Sequence, residues 1–380
     1  MPRLPAAITA GVGALITAGA VLSVRNLLPA LGARPDGTLL LRSPQFRDGA
    51  FRNTAPARWL PPGSGRTAAR DFIFGEHQRH PAGAVPLVPP AGPAPAEGLH
   101  ITWYGHASSL VELDGARVLL DPVWSDRVSP LPFLGPRRLH PVPHALAELP
   151  ALDAIVISHD HYDHLDMPTV RTLARTQTAP FVVPLGVGAH LRKWRIAEER
   201  IIELDWAGQA QVGELRITAT PGQHFSGRSF TRNDTLWASW VIAGPNHRVF
   251  YSGDTGYFDG FAAIGRQYGP FDATLIQIGA YAPSWPDIHM TPEEGVTAHL
   301  DVGGQLLIPV HWGTFNLAPH GWTDPVDRAW REAKARGVTM AVPRPGERIA
   351  VAAPTPVDGW WQALAAPAAP ADRQAVPADV

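Results

Sequence analysis

One stretch of nine residues in this chain holds three histidines and three aspartates. It runs from residue 158 to residue 166 and reads Ser-His-Asp-His-Tyr-Asp-His-Leu-Asp. Imidazole nitrogens and carboxylate oxygens are the ligands that zinc and similar divalent cations accept. Because packing or solvation alone explains such a density poorly, the stretch predicts a metal site. The chain contains no cysteine, so the site must use histidine, aspartate or glutamate.

Three distant residues extend this pattern, and each follows an apolar run that is typical of a buried strand. The ends of neighbouring strands can meet at one edge of a sheet, where their side chains would join the first group. The seven candidate ligands are His159, His161, Asp163, His164, His224, Asp254 and His311. A single zinc takes three or four protein ligands, so seven candidates predict two metals.

The elements that must position these residues are strands with helices between them. Strands at 101–104, 109–113 and 116–120 predict an initial β-meander, with Asp-Gly at 114–115 as its hairpin turn. Beyond it, strand and helix patterns alternate. They include a strand at 152–157 directly before the metal stretch, and strands near 201–204 and 214–219. Many strands with interspersed helices and no fixed repeat predict a mixed α/β sandwich.

Composition bounds the domain organisation and the partners. The chain has 380 residues, of which 45% are hydrophobic and 17% charged, and its net charge of -2 gives no global field that would attract nucleic acid. No nucleic-acid partner is therefore expected, although a local basic patch stays open. Pro-rich and Ala-rich stretches divide the chain into an apolar segment (1–25), an extended arm (26–97), the main domain (98–352) and a loosely held tail (353–380).

Residues 4–24 carry no charge and are long enough to cross a bilayer as a helix. Glycines and alanines make the segment weakly apolar, so three alternatives stay open. It is a membrane anchor, a cleaved export signal with its site near residues 18–20, or a helix packed on a surface. Location is correspondingly open between membrane-associated, cytoplasmic and exported, and a homodimer is one alternative for the oligomeric state.

The seven candidate ligands match the pattern of the metallo-β-lactamase superfamily, His-x-His-x-Asp-His followed by distant His, Asp and His. Within it the chain resembles the N-acyl-phosphatidylethanolamine-hydrolysing phospholipase D group and its bacterial relatives. The resemblance runs from about Trp103 to Phe315 and includes the motifs Trp-Tyr-Gly-His-Ala, Asp-Pro-Val-Trp-Ser-Asp-Arg, Gly-Asp-Thr-Gly-Tyr and His-Trp-Gly-Thr-Phe. Phe-Arg-Asn at 51–53 is similar to a motif of these relatives as well.

This resemblance implies a four-layer αββα sandwich and two zinc ions, or another divalent transition metal, per chain. It implies that His159, His161 and His224 hold one metal. By the same resemblance Asp163, His164 and His311 hold the other, and Asp254 bridges both. Such paired cations supply an activated hydroxide and neutralise charge on a phosphoryl oxygen, which makes a Ser or Cys nucleophile unnecessary.

Five side chains are candidates for binding the substrate, a small-molecule or lipid phosphodiester: His106, Arg228, Tyr281, His289 and Phe315. The resemblance places His289 against the substrate, where it would act with Asp163 and Asp254 in catalysis. A phosphate could pair with Arg228. For each candidate the alternative is a structural role, namely a satisfied histidine, a surface charge or a packed aromatic ring.

Three hypotheses of function follow. The first is a binuclear metal-dependent phosphodiesterase of phospholipase D type, acting on lipids similar to N-acyl-phosphatidylethanolamine. The second keeps the metal site but gives it a lactone, a nucleotide or a nucleic-acid phosphodiester as substrate. The third is a membrane-tethered protein that binds a structural metal without catalysis, although seven ligands exceed the closed set of four that structural zinc needs.

Overall fold

The computed structural model describes residues 27–58, 66, 70, 71, 74, 77–92, 94–229 and 231–365. These residues form two seven-stranded sheets and one two-stranded ribbon. The strands are β1 (Phe46–Arg47), β2 (Ala50–Phe51), β3 (Leu99–Gly105), β4 (Ser108–Leu113), β5 (Ala116–Leu120), β6 (Ala154–Val156), β7 (Phe181–Pro184), β8 (Ile201–Leu204), β9 (Gln209–Val212), β10 (Leu215–Thr220), β11 (Ser239–Ala243), β12 (Arg248–Tyr251), β13 (Phe271–Gln277), β14 (Gly304–Val310), β15 (Thr339–Met340) and β16 (Arg348–Ala350). The α-helices whose two ends both lie among the described residues are α1 (Gly37–Leu40), α2 (Met167–Thr176), α3 (Gly188–Lys193), α4 (Gly260–Tyr268), α5 (Pro292–Asp301), α6 (Asp324–Ala335) and α7 (Gln362–Ala365).

The first large sheet has the order β16-β3-β4-β5-β6-β7-β8. Strands β16 to β5 are antiparallel neighbours, and β5 to β8 run parallel. The expected hairpin joins β4 to β5, with Leu113 opposite Ala116. Its two turn residues, Asp114 and Gly115, have φ angles of 52° and 86°. Positive φ at both positions is what a two-residue hairpin turn of this twist requires.

The second large sheet has the order β15-β14-β13-β12-β11-β10-β9. Strands β15 to β12 run parallel, whereas β12 to β9 are antiparallel. Edge strand β9 is absent from the sequence predictions because two of its four residues are glutamines and only Ala210 is buried. It nevertheless pairs with β10 in regular register, with Leu215 opposite Val212.

Side chains of the first sheet alternate between two buried clusters. Val118 and Leu120 point to the cluster shared with the second sheet, whereas Leu119 joins the cluster formed with helices α2 and α3. On the other side, Val296 of α5 packs with the second sheet. Burying one such side chain contributes roughly 1.5–3 kcal/mol. The layers are therefore helix, sheet, sheet and helix, which confirms the predicted αββα sandwich.

The sheet topology brings the candidate ligands together. Strands β5, β6, β10, β12 and β14 all end at one edge of the sandwich, and the segments that follow them carry residues 121, 158–164, 221–224, 252–254 and 311. In sheets of this kind the carboxyl ends of the strands are where ligands bind. The metal stretch thus lies on the loop between β6 and α2.

The arm and the start of the tail pack onto this sandwich. Phe51 is fully buried in a small cluster with Leu236 and Trp237. In the tail, Trp360 and Trp361 are buried against Trp312. Among the described residues, no helix has the length and apolarity that crossing a bilayer requires. The predicted apolar segment at residues 4–24 lies outside the described part of the chain.

Candidate metal centre

Three histidine rings converge to form the first cluster. The Nε2 atom of His159 lies 2.8 Å from Nδ1 of His161, and Nε2 of His224 lies 3.3 Å from the same Nδ1. Nitrogens that share a tetrahedral zinc at about 2.0–2.1 Å are roughly 3.3 Å apart. The other ring nitrogen of His224 donates to the carbonyl of Ile288, and that of His159 contacts the Ser158 hydroxyl. These bonds leave the convergent nitrogens for a cation.

A second cluster lies beside the first. In it the Oδ2 atom of Asp163 is 3.2 Å from Nε2 of His311 and 3.5 Å from Nε2 of His164. His106 also reaches this carboxylate oxygen, at 2.9 Å from its Nε2. The four side chains are arranged closely enough to hold one metal ion.

One carboxylate lies between the two clusters. The Oδ2 atom of Asp254 is 3.1 Å from Nε2 of His164 and 3.0 Å from Nε2 of His311. The same oxygen is 4.0 Å from Nε2 of His159 and 4.0 Å from Nε2 of His224. This position between both sets of nitrogens is the one that a bridging ligand would occupy.

The chemistry of these residues fits divalent metals. Several buried polar atoms around the clusters have no hydrogen-bond partner among the described residues, and leaving one such atom unsatisfied costs about 1–3 kcal/mol. These atoms include Nε2 of His164, Oδ1 of Asp254 and Nδ1 of His289. Imidazoles and carboxylates that converge but leave some of their polar atoms without hydrogen bonds are typical ligands of a borderline divalent cation.

Burial dominates the protonation of the first cluster. It lowers the pKa of His159 and of His224 well below the usual histidine range, so both imidazoles are neutral and able to bind a metal. For Asp254, burial alone would raise the pKa, but the nearby His164 and His311 outweigh it and hold the pKa well below its usual range. Asp254 is therefore a carboxylate that can ligate a metal.

In the second cluster, neighbouring carboxylates outweigh the effect of burial on the histidine pKa values. Burial alone would lower the pKa of His164, but Asp254, Asp163 and Asp121 outweigh it and raise the pKa well above the usual value. The pKa of His311 is also raised, by Asp254 and Asp163 against the effect of burial. Without a metal, protonated His164 and His311 rings compensate the negative charge of the surrounding carboxylates.

Asp121 is a supporting residue that the sequence analysis did not assign. It follows β5, and its fully buried carboxylate accepts from Nδ1 of His164 at 2.6 Å. It also accepts from the Ser158 main-chain N–H at 2.6 Å and from the Tyr251 hydroxyl. A carboxylate that holds the far nitrogen of a ligand histidine fixes the orientation and the tautomer of that ring. An acidic residue directly after an apolar strand was the available signal, as it was for Asp254.

The two other aspartates of the metal stretch support the loop. Asp160 accepts from the Gly227 N–H at 2.7 Å and lies 3.1 Å from Nε2 of His190. Asp166 stands at the N-cap position of α2, but its carboxylate binds the hydroxyls of Ser125 and Thr169 instead of a helix N–H.

Three of the five substrate candidates line the clusters. His289 places Nδ1 4.0 Å from Oδ2 of Asp254, and burial lowers its pKa to about 4. His106 is fully buried, with its pKa lowered to about 3 by burial, and it contacts Asp163 as described. The ring of Phe315 packs edge-on against His106 at 5.2 Å between centroids.

The phosphate-binding prediction for Arg228 needs correction. Its side chain is buried, Nε donates to the carbonyl of Ala30, and Nη1 donates to the carbonyls of Asp160 and Leu165. The guanidinium also lies 4.1 Å from the ring centroid of Tyr162. The N–H groups of Nε and Nη1 are therefore bonded to buried carbonyls, two of them in the metal stretch, and are not available to a phosphate.

Tyr281, another of the five substrate candidates, lies in a polar cluster. Its hydroxyl donates to Asp324, and its ring stacks on His320 at 4.6 Å. The guanidinium of Arg328 lies 4.8 Å from the ring centroid. These contacts tie the loop after β13 to helix α6.

The sandwich and the two clusters of histidines and carboxylates at its strand ends are typical of metal-dependent hydrolases. Residues 116–312 match the family model described as a beta-lactamase superfamily domain. The chain belongs to the metallo-β-lactamase superfamily. This membership implies that the centre binds a divalent metal.

Similar proteins span bacteria, animals and archaea. An uncharacterised protein of Mycobacterium tuberculosis is 53% identical over 329 residues, which cover 84% of this chain and 88% of that protein. The N-acyl-phosphatidylethanolamine-hydrolyzing phospholipase D 1 of Caenorhabditis elegans is 39% identical over 239 residues, or 60% of this chain and 66% of that protein. A metallo hydrolase from Ignicoccus hospitalis has a similar fold, with a TM-score of 0.52 and 23% identity over 66% of this chain and 97% of the other.

Proposed function

We propose that this protein is a zinc-dependent phosphodiesterase with two metal ions per chain, of phospholipase D type, acting on lipids similar to N-acyl-phosphatidylethanolamine. The observation that carries the proposal is the position of Asp254. Its Oδ2 atom lies 3.0 to 4.0 Å from ring nitrogens of both clusters. A closed structural zinc site needs one set of four ligands and no shared carboxylate.

We assign His159, His161 and His224 to one metal and Asp163, His164 and His311 to the other. When bound, two such cations supply an activated hydroxide and neutralise charge that builds on a phosphoryl oxygen during in-line displacement. The protein's own part is to hold these ligands, to keep Asp254 ionised, and to close the floor of the site with the buried His106 and Phe315.

His289 is the side chain that we assign to the substrate. Its Nδ1 has no hydrogen-bond partner among the described residues, although the atom is buried next to Asp254. Because burial lowers its pKa to about 4, the ring is neutral at neutral pH and can donate to or accept from a substrate oxygen. A neutral ring avoids placing another positive charge beside two cations.

The lipid substrate is supported by sequence similarity. The relative from Caenorhabditis elegans carries that activity in its name, and the alignment spans 60% of this chain. The uncharged segment at residues 4–24 agrees with a membrane substrate, since an enzyme held at a bilayer meets its lipid at high local concentration.

A product assay tests the proposal. Zinc-loaded protein is incubated with N-acyl-phosphatidylethanolamine, phosphatidylethanolamine, bis(p-nitrophenyl) phosphate, a cyclic nucleotide and a lactone, and the products are separated by mass. We expect N-acylethanolamine and phosphatidic acid from the first lipid. His161→Ala should abolish this activity, whereas His247→Ala should retain it, because His247 lies on the β11–β12 turn beside Asp114. Hydrolysis of the lactone or the nucleotide alone would refute the phospholipase assignment.

A further inference from the structure

A residue of the N-terminal arm reaches the first histidine cluster. The side-chain amide of Asn53 donates through Nδ2 to the carbonyl of His224 at 2.9 Å, and its Oδ1 accepts from the N–H of the same residue at 3.0 Å. Asn53 therefore pairs with both main-chain groups of His224 as a neighbouring strand would, although 171 residues separate the two in sequence.

The arm itself is held firmly at this point. Phe51 is fully buried, and its N–H donates to the carbonyl of Asn233 at 2.9 Å. The indole of Trp237 donates both to Oδ1 of Asn53 and to the carbonyl of Gly222, at 3.1 and 2.8 Å. These bonds fix Asn53 relative to the loop that carries His224.

The arm also reaches the loop that orients the His224 ring. Arg58 binds the carboxylate of Asp287 through Nε and Nη2 at 2.9 and 3.0 Å, and its main-chain N–H donates to the same carboxylate. The next residue, Ile288, accepts from Nδ1 of His224. One short segment of the arm thus contacts both the backbone of His224 and the loop that sets its tautomer.

We propose that Asn53 is a positioning residue for the metal in the three-histidine cluster. This inference rests on the proposed role of His224 as a ligand. Because the amide fixes the main chain of His224, its removal lets the imidazole move away from the position at which Nε2 meets the other two rings. Loss of a group that orients a ligand typically lowers metal affinity roughly 10- to 100-fold.

Metal affinity measured by chelator competition tests the inference. Full-length wild type is compared with Asn53→Ala, Asn53→Asp and His224→Ala, using cobalt(II) so that the absorption spectrum reports the ligand geometry as well. Asn246→Ala is the matched control, because this asparagine is exposed beside Asp114. The unfolding temperature of each metal-free variant is recorded in parallel.

We expect Asn53→Ala to weaken one of two metals roughly 10- to 100-fold and to change its cobalt spectrum, while the other metal and the control are unaffected. Asn53→Asp keeps the acceptor and loses the donor, so its affinity for this metal should lie between that of wild type and that of Asn53→Ala. An Asn53→Ala protein that unfolds earlier but binds both metals as wild type does would overturn the inference, since the amide would then only fasten the arm.

Two further outcomes separate this inference from the proposed function. If His224→Ala loses one metal while neither Asn53 variant weakens any metal, the ligand assignment stands and the positioning role is wrong. If His224→Ala itself binds both metals with unchanged affinity, the ligand assignment fails, and the inference fails with it. Should Asn53→Ala not fold, Asn53→Asp decides by the same two criteria.

Discussion

At the scale of single residues, buried carboxylates and imidazoles lie close together in the centre and determine each other's charge. Asp254 is buried, and its Oδ2 atom lies within 4.0 Å of nitrogens on five histidines: His159, His164, His224, His289 and His311. Burying these polar groups so close together would cost free energy unless the oxygens and nitrogens bind cations. The assignment of roles to these residues can be tested one side chain at a time.

Asp254→Asn keeps the shape of the bridging side chain and removes its charge. We expect the variant to lose at least one of two metals and to lower kcat by more than about 100-fold, because a direct ligand should matter more than the groups that orient it. Metal content by mass spectrometry and the rate on a phosphodiester measure both effects. Full activity with an unchanged metal content would mean that Asp254 does not bridge.

Asp121→Asn tests the support beneath His164. Its amide keeps one acceptor but carries no charge, so Nδ1 of His164 loses a charged partner at 2.6 Å. We expect affinity for one metal to fall roughly 10- to 100-fold. Asp272→Asn is the comparison, because that carboxylate accepts only from the Arg248 N–H in the hydrogen bonds described and lies beside β12, away from the centre. Equal affinities in the two variants would remove Asp121 from the metal centre.

Metal uptake should release protons. In the metal-free protein the carboxylates raise the pKa of His164 and His311, so both rings hold protons at pH values where an ordinary histidine begins to lose them. A cation displaces these protons, and metal affinity therefore falls as the pH is lowered. Calorimetry in buffers of different ionisation enthalpy counts the protons. Binding at neutral pH without proton release would contradict the raised pKa values.

The convergence of the candidate ligands can be predicted from the sequence because each one follows an apolar strand and has a side chain that metals accept. The contacts of Arg228 cannot be predicted in this way, because a cation near a metal loop has the same sequence pattern whether it faces a phosphate or a buried carbonyl. Asn53 could not be predicted as a contact of His224, since only the folded path of the arm brings the two together.

At the scale of secondary-structure elements, the strands that end at the site are the ones that the sequence predicts most clearly. Each of them ends in a run of at least three buried residues, which the sequence shows as a short apolar segment. Edge strand β9 is different because it has only one buried residue and is recognised by its pairing with β10. Pairing between strands depends on tertiary contacts, so the local sequence of β9, with its two glutamines, does not predict it.

The start of the tail packs against the main domain through Trp361. Trp361 is fully buried, its ring lies 6.1 Å from that of Trp312, and Nε1 donates to Asp327 at 2.8 Å. We expect Trp361→Ala to lower the free energy of unfolding by about 3–5 kcal/mol, measured by urea denaturation. Leu134→Ala, at a side chain that is 60% exposed, should change it by less than about 0.5 kcal/mol. A Trp361→Ala protein as stable as wild type would show that the tail is not anchored.

At the scale of the whole molecule, two sheets present their strand ends at one edge, and Asn53 and Arg58 of the arm contact loops at that edge. Fold class follows from the sequence because hydrophobic periodicity and the order of elements constrain the layers. The path of the arm does not follow, since its Pro-rich sequence has no period, and it is held by single contacts such as Phe51 and Asn53.

Under the proposed function, catalysis on a phosphodiester requires both clusters to hold a metal. The most direct test is the rate of N-acyl-phosphatidylethanolamine hydrolysis measured against zinc bound per chain, starting from chelator-treated protein. We expect little activity with about one zinc and full activity with about two, because seven convergent ligands exceed the three or four that one zinc takes. Full activity with one zinc or with none, or no hydrolysis of this lipid with two bound, would contradict it.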